Sequence, residues 1–138
     1  MMKRIFLAGL VLGLSLLLAA CASGGAGQPS ATLQVDMTDF KFSPAEATVF
    51  AGQETTLQLS NSGAIEHDFT ILKKGVQVSG HFDPVERAGD LLVEFKLKPG
   101  ESQTFKFTLP EAGEYQLVCN LSGHLEAGMG GKLYAVQP

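Results

Sequence analysis

Beyond residue 30, apolar and polar positions alternate in short blocks. Leu57 and Leu59 alternate with Thr56, Gln58 and Ser60, and Phe105, Phe107 and Leu109 alternate with Thr104, Lys106 and Thr108. A period of two, with one dry and one wet face, predicts half-buried strands, and no stretch here sustains the helical period. Strands are expected over residues 31–37, 40–42, 48–50, 55–60, 67–72, 91–97, 102–109, 114–119 and 132–137. Pro44, Ala51-Gly52, Asn61-Ser62-Gly63, Pro99-Gly100 and Ala112-Gly113 punctuate them as turns. The expected fold is all-β, an antiparallel Greek-key β-sandwich of about eight strands. Tyr115, Leu117 and Cys119 share a parity, so Cys119 should follow Leu117 into the interior at the end of its strand.

Two regions break the alternation. Residues 73–90 begin with Lys73-Lys74-Gly75, are rich in charge and carry Pro84 and Gly89. They predict either a long loop or a short edge hairpin with a flap. At the other extreme, Lys3 and Arg4 precede an uncharged apolar run over residues 5–20, which stops at Leu18-Ala19-Ala20-Cys21. Charge, apolar core and small residues in that order read as an export signal. The small-small-Cys ending resembles a bacterial lipoprotein signal, in which Cys21 becomes the lipidated first residue, and several acyl chains hold a protein to a membrane where one holds it marginally. Residues 22–30 are Gly, Ala and Ser with little else, a flexible tether.

The expected organisation is therefore a signal peptide over 1–20, a lipidated Cys and linker over 21–30, and one folded domain over 31–138 large enough for a single core. The formal charge of −4 argues against nucleic acid as a partner. With Cys21 acylated, Cys119 is a lone thiol in an extracytoplasmic setting, where it is buried and inert, reactive, or bound to metal.

Chemistry concentrates in residues 119–131, where Cys119, His124 and Met129 follow the pattern C-x4-H-x4-M among small residues. Thiolate, imidazole and weak thioether form the donor set of a blue-copper site, provided a second imidazole arrives from elsewhere. His67, opening a strand after the turn at 61–66, can supply it. Singly, each has a plainer reading: a structural His, a small core Cys, a gap-filling Met. Their combination in an exported β domain carries the weight.

The residues around this constellation resemble a cupredoxin over nearly all of 31–138. The resemblance rests on Thr48-Val49-Phe50-Ala51-Gly52 and Leu57-Gln58-Leu59-Ser60-Asn61 before His67. It rests equally on Pro110-Glu111-Ala112-Gly113-Glu114-Tyr115 leading to Cys119, then Gly123-His124 and Gly128-Met129-Gly130-Gly131. Within the family, the ligand spacing is similar to that of auracyanins and rusticyanin. The resemblance implies a copper site at one end of the sandwich, with one copper ion, Cu(I) or Cu(II), held by His67, Cys119 and His124 and weakly by Met129. It also implies a non-enzymatic, monomeric, membrane-tethered carrier of single electrons. Its partners would be redox proteins such as cytochromes, a quinol-oxidising complex, a terminal oxidase or a reaction centre. Leu121, Leu125 and Ala127 would ring the exposed edge of His124 as the electron port.

Many family members carry Asn after the first His, where it ties the two ligand loops together, whereas this chain has Asp68, so the copper's surroundings are expected to differ. His81 is expected to be a solvated loop residue. A rival reading is a copper chaperone or copper-tolerance protein using the same ligands, and a third is a metal-free sandwich. A binuclear copper centre would need a second Cys where Gly123 stands, and a copper nitrite reductase would need a second domain with a further catalytic His.

Overall fold

Nine strands account for the alternating blocks in a computed structural model that describes residues 27–138. The segment read as a signal peptide, and Cys21 with it, lie outside the described residues. The strands are β1 (Thr32–Thr38), β2 (Lys41–Ser43), β3 (Glu46–Phe50), β4 (Glu54–Asn61), β5 (His67–Leu72), β6 (Leu91–Leu97), β7 (Ser102–Thr108), β8 (Gly113–Val118) and β9 (Gly130–Val136). A single 3-10 turn, Ala88–Asp90, precedes β6. Among the described residues no helix is long and apolar enough to cross a membrane.

The strands form two sheets, ordered β2-β1-β4-β7 and β3-β9-β8-β5-β6. The sandwich is not purely antiparallel as expected: β1 runs parallel to β4, and β3 parallel to β9. Alternation tells which face of a strand is dry but carries no sign for the direction of its neighbour. Both parallel pairs join strands separated by other strands, where no tight turn dictates direction.

Between the sheets lie Met37, Leu57, Leu59, Phe69, Leu117 and Leu133, all essentially without solvent exposure. One open side of the sandwich is closed by Phe95 of β6 stacked on Phe105 of β7, with centroids 4.2 Å apart. Strand β5 does not alternate at all; each of its six residues is buried. It is flanked by β6 and β8, its inner face meets the core, and its outer face is covered by residues 73–90, which form no strand. Phe82 packs there on Leu72 and Val118, with Val76 and Val78 beside it. Gln116 fastens this cover: its side chain accepts from the Val78 N–H at 2.7 Å and donates to the Val78 carbonyl at 2.8 Å.

The two poles of the sandwich are distinct. His67 begins β5, and Cys119 follows the end of β8, so both stand at one pole. The chain enters β1 at the other pole, because Thr32 faces Thr56 near the start of β4, while β4 ends at Asn61 beside the His67 turn. At the site's pole, β9 approaches β3 so closely that a Cβ at Gly131 would overlap the Ala45 carbonyl. Gly131→Ala is therefore expected to cost about 2 kcal/mol or more, as overpacking against fixed backbone does. A urea midpoint measures it, and because Met129 lies two residues earlier, copper affinity should fall in the same variant.

Candidate metal centre

The turn before His67 is held by one buried amide. Asn61 donates to the carbonyls of Ile65 at 2.9 Å and Leu97 at 3.0 Å, and accepts from the Gly63 N–H at 3.0 Å. This delivers His67, fully buried, to the pole with its Nε2 3.2 Å from Asp39 Oδ1. An Nε2–H donated to that carboxylate leaves the Nδ1 lone pair directed at the site. The second ligand loop closes on itself through its backbone. The Cys119 N–H donates to the Met129 carbonyl at 3.1 Å and the Met129 N–H to the His124 carbonyl at 3.0 Å.

These supports bring the donors together. His124 Nδ1 lies 3.2 Å from both Cys119 Sγ and His67 Nδ1, and the three donor atoms all fall within 4.8 Å of one another. They form the only such group of metal-donor side chains among the described residues. Met129, on the same loop, is fully buried in the core that also holds Cys119. A thiol and two imidazoles converging without a carboxylate in the set fit one copper ion by donor type.

Burial and neighbouring groups set the protonation of these donors. Burial, reinforced by the Asp68 carboxyl, pushes the Cys119 thiol up to about 11, although the Asp68 N–H at 3.5 Å pulls the other way. Burial and the neighbouring His67 hold His124 below its ordinary value, so it is neutral at pH 7. The Asp39 carboxyl is held below its usual range, first by the hydrogen bond with His67 and then by the Ala64 N–H.

Asp68 performs the tie expected of Asn. Its Oδ1 accepts from the Asn120 N–H and the Thr70 hydroxyl, both at 2.8 Å, and so joins β5 to the Cys119 loop. Its Oδ2 is buried without a partner, and burial pushes the carboxyl up to about 6.

The residues expected to ring His124 differ in burial and packing. Leu121 is half-buried against the main core, Leu125 turns toward the Phe82 cluster, and Ala127 is exposed. The apolar side chain at His124, itself 9% exposed, is Phe40, which is 41% exposed with its ring edge-on at 5.2 Å. His81 is an exposed loop residue as expected, its side chain 70% exposed, and its Nδ1 stands 3.1 Å from Glu126 Oε1 on the ligand loop. Sequence reasoning missed Asp39 and Phe40 altogether. Both sit in the turn between β1 and β2, where Phe40 takes a φ of 63°, uncommon for an aromatic residue. Nothing local marks which histidine such a turn will meet.

The cupredoxin-like domain model matches residues 10–133, most of the chain. The chain is a cupredoxin. Among its curated relatives, the copper-resistant cuproprotein CopI of Rubrivivax gelatinosus is 31% identical over 116 residues, covering 80% of this chain and 69% of that protein. Auracyanin-A of Chloroflexus aurantiacus is 26% identical over 156 residues, covering 94% and 95% of the two. Of the solved structures, reduced auracyanin from Roseiflexus castenholzii superposes with a TM-score of 0.67 at 25% identity, covering 79% of this cupredoxin and 99% of its own chain. Reduced rusticyanin, with a TM-score of 0.56, 21% identity and coverage of 79% and 82%, shares the fold.

Proposed function

We propose that this cupredoxin carries single electrons outside the cytoplasm through one copper ion held by His67 Nδ1, Cys119 Sγ, His124 Nδ1 and, weakly, the Met129 thioether. The observation that carries this reading is the convergence of a thiol and two imidazoles within 4.8 Å of one another. All three donors are buried, and Asn61, Asp39, Asp68 and the loop's own backbone hold them in place. Ligands that are held in place move little between oxidation states, which suits fast exchange of an electron.

Bound copper supplies a Cu(I)/Cu(II) couple. The chain's own part is to release the Cys119 proton, to present Nδ1 of two imidazoles, and to keep water from the donors with Phe40 and the core. The His124 edge is the shortest way out to solvent. An apolar contact of one aromatic ring and a few neighbours suits brief encounters with redox proteins, such as cytochromes or a quinol-oxidising complex. In this reading no substrate bond is made or broken. A lipid anchor at Cys21 attaches the domain through the pole where β1 begins, so the His124 edge faces away from the point of attachment.

Copper tolerance is the second reading, favoured by likeness to two copper-resistant cuproproteins, at 31% and 27% identity. The two separate in solution. Protein loaded with Cu(II) should show an intense visible band, exchange electrons rapidly with a cytochrome, and keep its copper in the presence of an apo-acceptor. Slow electron exchange with ready loss of copper to the acceptor would overturn the shuttle in favour of tolerance.

A further inference from the structure

Resting on the ligand assignment just made, we infer that Asp39 is a positioning residue of this centre. It fixes the tautomer of His67, and its charge biases bound copper toward Cu(II). Three independent features build this contact. The β1–β2 turn, with Phe40 in the left-handed region, brings the carboxylate to His67 Nε2 at 3.2 Å. The Ala64 N–H, on the turn that leads into His67, donates to the same Oδ1 at 2.9 Å. Gly63 makes room: a Cβ there would stand 2.5 Å from Asp39 Oδ1 and 3.1 Å from His67 Nε2. A side chain of any kind at position 63 would push the pair apart.

The chemical consequence follows from what a carboxylate does to an imidazole. A charged acceptor on Nε2–H selects the Nδ1 donor tautomer and raises the basicity of Nδ1. A more basic nitrogen and a nearby negative charge both favour the more highly charged ion, so the reduction potential falls relative to a neutral partner. His67 is fully buried whereas the Asp39 side chain is 44% exposed, so one end of the pair is desolvated and the other feels salt. An exposed pair would contribute little; this one acts on a buried ligand.

Three variants test the inference. Asp39→Asn keeps an acceptor and removes the charge, Asp39→Ala removes both, and Gly63→Ala keeps the carboxylate but displaces it. In copper-free protein, nitrogen-15 NMR of His67 should report the Nε2–H tautomer in the parent and in Asp39→Asn, and loss of that preference in Asp39→Ala. In copper-loaded protein, Asp39→Asn should lower the ratio of Cu(II) to Cu(I) affinity by about three- to tenfold, a tenfold change being about 59 mV for one electron. Gly63→Ala should shift it in the same direction. The difference between parent and Asp39→Asn should shrink as salt rises, because half of the pair is open to solvent. A normal visible band with affinity ratios equal within about twofold across the parent and the three variants would overturn this inference while leaving the copper site standing. A parent protein with no visible band would overturn the ligand assignment and this inference together.

Discussion

Cys119→Ser is expected to bind Cu(II) more than about 100-fold more weakly than the parent, since changes to outer-shell partners alone cost 10–100-fold. The variant should show no intense visible band, because a hydroxyl forms no thiolate-to-copper bond. Folding should survive, since serine is smaller than cysteine and the bond from the residue 119 N–H to the Met129 carbonyl does not involve the side chain. The parent carries a second signature. With the copper-free thiol raised to about 11, uptake of copper at neutral pH must expel that proton. Apparent affinity should therefore rise about tenfold per pH unit from neutrality upward. His124 is already neutral at pH 7 and adds nothing to that slope. Isothermal titration in buffers of different ionisation enthalpy counts the proton, and in Cys119→Ser the count should fall by one.

Asp68→Asn should stabilise the copper-free protein, and only above mildly acidic pH. The Asp68 carboxyl sits at about 6 in the folded chain against an ordinary 3.8, so between those values the folded state holds a proton that the unfolded state has lost. Folded stability then declines as pH rises through that window, by about 1.4 kcal/mol per unit, and levels off above it at a deficit on the order of 3 kcal/mol. Asn keeps an Oδ1 for Asn120 and Thr70 and carries no charge to bury. Urea unfolding of the two copper-free proteins should give equal midpoints near pH 4 and a growing advantage for Asp68→Asn up to about pH 7. Equal midpoints across the whole range would show that the buried carboxylate costs nothing.

Much of this was legible in the residue pattern. Strands over 67–72 and 91–97 match the structure at both ends, and the shared parity of Leu117 and Cys119 does place the thiol inside. Local alternation and a short loop motif are written within a few residues of each other, which is why they can be read. The unread parts depend on distant neighbours. The direction of β1 against β4, the covering of β5 by Phe82, and the meeting of Asp39 with His67 each join segments that carry no local mark of one another. Leu125 shows the same limit: its apolar character is plain, but whether it faces His124 or the Phe82 cluster is decided by residues 73–90. Asp68 shows a different one, since the carboxyl makes the tie expected of an amide while bringing a burial cost that the amide would not.

The place of β9 has a consequence for biogenesis. It is the last strand in the sequence, yet it lies inside its sheet, hydrogen-bonded to β3 on one side and β8 on the other. Until residues 130–136 have docked, β3 has no partner in that sheet, and the loop bearing His124 and Met129 is unanchored at its far end. The two histidines of the site, 57 residues apart, meet only when both ligand loops are in place. Contacts of that separation form late and slowly. The metal-binding pole therefore forms only after β9 has docked, and copper binding follows that step of folding.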